Sequence, residues 1–249
     1  MSSDEAKERV PTGVEGLDDL MGGGLPKGTV NLVCGPAGCG KTLFGIQYVY
    51  RGAIDHGEPG IFLSVEESRS SIERASAQYG FDLDKAQKDG KLIILDVAEV
   101  RKRCQGQMGE EELIAGFDAI SKLLTGLARG RGIKRIAMDS VTGVCLYYGE
   151  DQTRLRREMF RFMQSLRDLD GVTSCLIAES SDRTGETPRY HIEQFLADSH
   201  VSLGLERVSG EYRRTISVTK MRFGAHDSIT HPLLITGAGL EVEPETRVR

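Results

Sequence analysis

One stretch constrains the fold of this chain more than any other: NLVCGPAGCGKTLFG, residues 31–45. Gly35, then four residues, then Gly40-Lys41-Thr42 is the spacing of a phosphate-binding loop. Glycines let successive backbone N–H groups point into one concavity, the lysine adds a mobile positive charge, and a helix starting directly behind aims its positive end at the same point. That geometry needs a strand before the loop and a helix after it. Residues 30–34 read as a short buried strand behind the turn Pro26-Lys27-Gly28, and Leu43, Ile46, Gln47, Val49 and Tyr50 open a helical pattern. The loop residues Gly35, Pro36, Ala37, Gly38, Cys39, Gly40, Lys41, Thr42 and Leu43 are therefore expected to hold the phosphates of a nucleoside triphosphate and its magnesium.

The order of elements predicts an α/β fold. A strand over 61–65 follows Pro59-Gly60, a polar helix spans 68–79, and the apolar run 92–97 reads as a strand. Leu113, Ile114, Phe117, Ile120, Leu123, Leu124 and Leu127 recur at helical spacing within 110–129, ahead of a strand over 135–139. A helix over 152–170 then leads through Gly171 into a strand over 172–178. This alternation predicts a mostly parallel sheet flanked by helices. From about residue 199 the texture changes to strands over 200–207, 214–220 and 232–236, with the turn signal Ser209-Gly210, which predicts antiparallel strands at one edge. No linker divides the chain, so residues 1–249 read as one domain, with 243–249 as a flexible tail.

Composition narrows the partners. A formal charge of −5, from 32 Lys+Arg against 37 Asp+Glu, argues against a surface built to coat nucleic acid. The five cysteines form neither CxxC pairs nor Cys/His clusters, as expected of a protein kept in a reducing cytoplasm. No apolar run reaches the length of a membrane span, and the opening MSSDEAKERV is charged, so neither export nor membrane insertion is expected.

A phosphate loop of this kind works with a second carboxylate for magnesium at the end of a neighbouring strand. Asp139, closing Lys134-Arg135-Ile136-Ala137-Met138-Asp139, fits that place, although aspartates also cap strand ends for no functional reason. Ser140 follows it where an acid would have supplied a base, so the group that activates water must come from elsewhere. Glu66-Glu67 ends the strand over 61–65, and paired carboxylates can share that task. The competing reading is two acids in the first turn of a solvated helix. In the strand ending Ile216-Ser217-Val218-Thr219-Lys220-Met221-Arg222, a period of two puts Ile216 and Val218 on one face with Lys220 and Arg222. Those cations either reach a phosphate or face solvent; the residues alone do not say whose phosphate.

Together these residues resemble a single KaiC domain, within the RecA-like group of P-loop ATPases. The resemblance runs from Thr12-Gly13-Val14-Glu15-Gly16-Leu17-Asp18-Asp19-Leu20 through GPAGCGKT, Glu66-Glu67 and the Asp139 strand to KMRFGAHD, nearly the whole chain. It implies that Lys41 and Thr42 serve phosphate and magnesium, that Glu66 and Glu67 activate water, and that Asp139 supports the metal. It also implies a ring, usually a hexamer, in which Lys220 and Arg222 reach the γ-phosphate held by a neighbour, with His226 near the same nucleotide. Clock proteins of the family carry two such domains and phosphorylate a Ser-Thr pair in the second. Here Glu193-Gln194 occupies the corresponding place, ahead of Asp198-Ser199-His200, which argues against autokinase activity there.

The leading expectation is thus a KaiC-like ATPase acting as a switch or signalling module, with itself as partner and an unidentified protein downstream. A RecA- or RadA-like DNA-dependent ATPase is the alternative, with the loop over 180–194 as the contact. That loop sets Arg183, Arg189 and His191 against Asp182, Glu186 and Glu193, which makes a poor basic groove. A nucleotide-sensing scaffold with little turnover is the third reading.

Overall fold

The computed structural model describes residues 8–104 and 116–248. A two-residue strand β1 (Arg9–Val10) pairs antiparallel with β2 (Leu25–Pro26), with the short helix α1 (Leu17–Leu20) between them. The main sheet begins at β3 (Val30–Gly35), followed by α2 (Lys41–Asp55), β4 (Gly60–Ser64), α3 (Arg69–Ala77), α4 (Leu83–Lys88), β5 (Leu92–Leu95) and α5 (Val97–Cys104). Then come α6 (Phe117–Arg131), β6 (Arg135–Asp139), α7 (Val141–Cys145) with a 3-10 turn Leu146–Tyr148, α8 (Gln152–Arg167), β7 (Thr173–Glu179) and α9 (Glu193–Leu196). The chain closes with β8 (Ser199–Val208), β9 (Glu211–Met221), β10 (His231–Thr236) and β11 (Gly239–Val242). The part of the predicted helix over 110–129 that precedes residue 116 lies outside the described residues.

The nine strands run in the order β11-β10-β9-β8-β3-β7-β6-β4-β5. From β8 to β5 every pairing is parallel, and β9, β10 and β11 are added antiparallel, as the sequence predicts. Ser209 and Gly210, both at positive φ, make the two-residue turn between β8 and β9. Apolar side chains bury on both faces: Phe44, Ile46 and Val49 of α2 on one, and Phe117, Ile120, Phe162 and Met163 of α6 and α8 on the other. The chain end is tied down within its described part, Val248 N–H donating to Thr230 O at 2.9 Å.

The seating of α2 decides where the loop sits. Gly45 and Gly52 lie seven residues apart on its sheet-facing side. A methyl on Gly45 would fall 2.7 Å from Ile177 Cδ1, and on Gly52 2.1 Å from Arg135 Nε. Arg135 cannot yield. Its fully buried guanidinium donates to Glu58 Oε2 at 2.6 Å, Pro11 O at 2.7 Å and Tyr48 O at 3.0 Å, and lies 4.8 Å from the centroid of the Tyr48 ring. Two glycines thus draw α2 against the sheet, and its first turn lands beside the end of β6.

One sequence expectation fails. His200 pairs with Lys220, but Val201 pairs with Val218, so Thr219 is an extra residue in β9. The bulge reverses the alternation. Ile216 and Val218 stay in the core on the α2 side, whereas Lys220 and Arg222 reach α9 and the α8 side of the sheet.

Candidate nucleotide site

β3 ends at Gly35, between β7 and β8, where the chain leaves the sheet and returns as α2. Gly40 stands just ahead of that helix at φ 108°, a conformation that side chains strain to adopt. The tip, Ala37 and Gly38, is exposed, while Cys39 and Leu43 bury in the core and anchor the loop from beneath. Lys41 Nζ folds over the turn and donates to Pro36 O at 2.8 Å.

Thr42 Oγ1 donates to Asp139 Oδ2 at 2.6 Å, so the two residues proposed from sequence for the metal meet. Burial pushes the Asp139 carboxyl up to about 6; the Thr42 hydroxyl opposes the shift, and Glu66 adds to it. A hydroxyl and a carboxylate are hard oxygen donors, the set that suits magnesium beside a phosphate.

Glu66 and Glu67 follow β4, adjacent to β6, and each is tied by a different serine. Ser140 Oγ donates to Glu66 Oε1 at 2.6 Å, and Ser71 Oγ donates to Glu67 Oε2 at 2.9 Å. Glu67 also lines a cleft of about 280 Å³ that begins at Gly38, Lys41 and Thr42. The far wall of that cleft is Ile72, Ala75, Gln78 and Tyr79 of the α3 region, with Ile235 from β10. This shape, cationic at one end and apolar at the other, suits a nucleotide.

Sequence reasoning did not find that far wall. Gln78, Tyr79 and Ile235 are distant from the loop along the chain, and no local pattern marks them. Arg214 was also missed as a site residue: on β9, it donates from Nε to Gly38 O at 3.0 Å. An arginine at that point of an antiparallel strand could be assigned only once the β8–β9 register was known.

Lys220, Arg222 and His226 lie elsewhere. Arg222 N–H donates to Asp198 O, and Asp198 N–H to Val30 O, which puts Arg222 level with the first residue of β3. The loop leaves from the last. Five residues of strand separate the two levels, about 17 Å at 3.3 Å per residue. The Arg222 side chain is 50% exposed, and its nearest acid is Asp198 Oδ1 at 3.4 Å. Lys220 is engaged: its Nζ donates to Gln194 O at 2.8 Å and Ala197 O at 2.6 Å, closing the end of α9. Burial, with the Arg222 charge beside it, holds this ammonium below its ordinary value. His226 is half-buried in the connection from β9 to β10, at the same end of the sheet as Arg222.

Asp182, Arg183 and Arg189 of the loop over 180–194 pair within it and with the strands beside it, although the buried Glu193 Oε1 has no hydrogen-bond partner among the described residues. Asp182 Oδ1 accepts from Gly185 N–H at 2.7 Å, Arg189 pairs with Glu179 at 3.0 Å, and Arg183 lies 5.4 Å from the centroid of the Tyr212 ring. Glu193 is fully buried.

Comparison with known proteins gives the family and the fold. The model of the family described as "ATPase: KaiC" matches residues 10–247. The circadian clock oscillator protein KaiC of Synechococcus elongatus is 35% identical over 98% of this chain and 46% of its own length. The circadian clock protein KaiC2 of a Synechocystis strain is 34% identical over 96% of this chain and 40% of its own. The chain therefore spans less than half the length of these curated relatives. A crystal structure of a KaiC-like protein from the hyperthermophilic archaeon Pyrococcus horikoshii superposes with a TM-score of 0.82 at 31% identity, covering 96% of this chain and 100% of that one.

Proposed function

The chain belongs to the KaiC family of ATPases and has its RecA-like fold, and on this premise we propose that it binds Mg-ATP between the subunits of a homo-hexameric ring and hydrolyses it as a switch or signalling module. In this reading residues 1–249 act as one ATPase domain. The observation that carries the interfacial part is the separation of charge: Lys41, Thr42 and Asp139 at one end of the sheet, and the half-exposed Arg222 about 17 Å along it at the other. A cation so placed serves a phosphate only on another subunit.

Backbone N–H groups of the loop between Gly35 and Leu43, Pro36 excepted, and the Lys41 ammonium would hold the phosphates, and Thr42 with Asp139 would hold the metal. Magnesium, when bound, neutralises phosphate charge and orients its oxygens. The water oxygen bonds to the γ-phosphorus as the bond to the ADP oxygen breaks, and one proton of the water goes to a single carboxylate of the pair Glu66 and Glu67, with Glu66 as the acceptor and Glu67 beside it. Arg222 of the adjoining subunit meets the charge that develops on the γ-phosphate. Lys220 fixes α9 next to it, and His226 faces the same neighbouring nucleotide.

The DNA-dependent alternative draws less support, because Arg183 and Arg189 are committed within their own subunit. Phosphorylation of the 193–194 pair is not part of the proposal, since neither residue carries a hydroxyl. Among the described residues no helix is long and apolar enough to cross a membrane, and four cysteines are buried free thiols, in keeping with a cytoplasmic setting. Mass in solution with and without Mg-ATP, read together with phosphate release, tests the reading. A six-subunit mass and steady turnover are expected with Mg-ATP. A monomer that releases no phosphate contradicts it.

A further inference from the structure

We propose that Ser140 is the positioning residue for Glu66, holding the carboxylate that accepts the water's proton. The inference rests on the reading of Glu66 as that acceptor. Sequence alone marks Ser140 only by what it is not, an acid after Asp139. Its hydroxyl is almost completely buried and makes two bonds. Gly143 N–H donates into Ser140 Oγ at 3.1 Å, and Ser140 Oγ lies 2.6 Å from Glu66 Oε1. A serine hydroxyl has one proton. With the N–H occupying an acceptor site, that proton points at Glu66 Oε1, and Glu66 Oε2 is the oxygen left for water.

The space around the carboxylate is shaped for this contact. A methyl on Gly143 would sit 3.1 Å from Glu66 Oε1 and 3.0 Å from Val65 Cγ2. Glycine at the third residue of α7 thus admits the Glu66 side chain while its N–H orients the serine. Because Ser140 directly follows Asp139, one turn of backbone holds both the metal-side carboxylate and the orientation of the base. Glu67 is held separately, by Ser71 on α3. Ser140 therefore acts on one member of the pair.

The test is a double-mutant cycle on the full chain, with kcat and KM for Mg-ATP measured for Ser140→Ala, Ser140→Thr, Glu66→Gln and the Ser140→Ala, Glu66→Gln double variant. A lost hydrogen bond to a charged group predicts a fall in kcat of roughly 10-fold or more for Ser140→Ala, with KM within about twofold. Ser140→Thr, which keeps the hydroxyl, is expected to recover most of that loss. In the Glu66→Gln background the alanine should cost less than about twofold more, because its effect passes through Glu66. If Ser140→Ala does not fold, Ser140→Cys takes its place in the cycle, since a thiol fills the site but is only a weak donor to Glu66. Losses that multiply with Glu66→Gln, or wild-type kcat in Ser140→Ala, overturn the positioning role. A wild-type chain without turnover overturns the parent reading and this one with it.

Discussion

Thr42 donates its hydroxyl proton to Asp139 at 2.6 Å, joining the first turn of α2 to the last residue of β6. If the pair holds magnesium, Thr42→Ser keeps the oxygen and Thr42→Val replaces it with a methyl of similar size. Titration of ATP with and without magnesium should show metal-strengthened binding in wild type and Thr42→Ser, and little metal dependence in Thr42→Val. Equal magnesium dependence in all three contradicts the assignment.

The approach of α2 to β6 depends on Gly52. Alanine normally stabilises a helix relative to glycine by about 1 kcal/mol. At Gly52 the added methyl meets the pinned Arg135 at 2.1 Å, and overpacking costs about 1–3 kcal/mol, more if the buried ion pair breaks. The clash wins. Net of the helix gain, Gly52→Ala should lower the melting temperature by up to about 8 °C, whereas Gly126→Ala on α6, with no atom within 4 Å of the new methyl, should leave it unchanged or raise it. Thermal melting of both variants decides; a stabilised Gly52→Ala refutes the packing argument.

His200 links stability to pH. Burial pushes its imidazole down to about 4 from 6.5, and nearby Lys220 adds to the shift, while Gly185 and Asp182 oppose it. Between those values the unfolded chain binds the proton and the folded chain does not, so stability falls as pH drops from about 6.5 to about 4. The stability lost across that window is about 3 kcal/mol, and none of it is lost at neutral pH, where the imidazole is uncharged in both states. In denaturant titrations, His200→Gln should reduce the slope of stability against pH in that window by roughly 1.4 kcal/mol per unit. An unchanged slope would show that His200 titrates alike folded and unfolded.

Much of this was legible in the sequence because the loop motif dictates its neighbours: a buried strand before, a helix after, and Asp139 at the end of a strand in the same sheet. The short elements were not. α4, α5, α7 and β11 span four to eight residues, too few to establish a period, and α7 is where Ser140 and Gly143 enclose Glu66. The bulge at Thr219 was invisible because a period-two reading assumes an unbroken ladder; it puts Lys220 under α9 instead of beside Val218. Tyr79, just past α3, and Ile235 of β10 reach the cleft, and Arg214 of β9 reaches the loop at Gly38, relations that no local spacing encodes.

The carboxylate pair gives a further test. Glu66→Gln with Glu67→Gln preserves shape and hydrogen bonding but removes the acceptors for the water's proton. ATP should remain bound while phosphate release stops. Turnover near the wild-type rate in the double variant would place the base elsewhere.

The central claim is that Arg222 acts on a neighbour's nucleotide, and it can be tested by mixing two inactive chains. Arg222→Ala keeps a sound loop, and Lys41→Ala keeps a sound Arg222. Removing a cation of this kind costs about 10³-fold or more in turnover, with less effect on binding. After subunit exchange, demonstrated by labelled chains entering mixed rings, some interfaces join the intact loop of one variant to the intact Arg222 of the other. The measurement is phosphate release by the mixture. Activity well above either variant alone is the predicted result, and silence in rings shown to be mixed would contradict the interfacial mechanism.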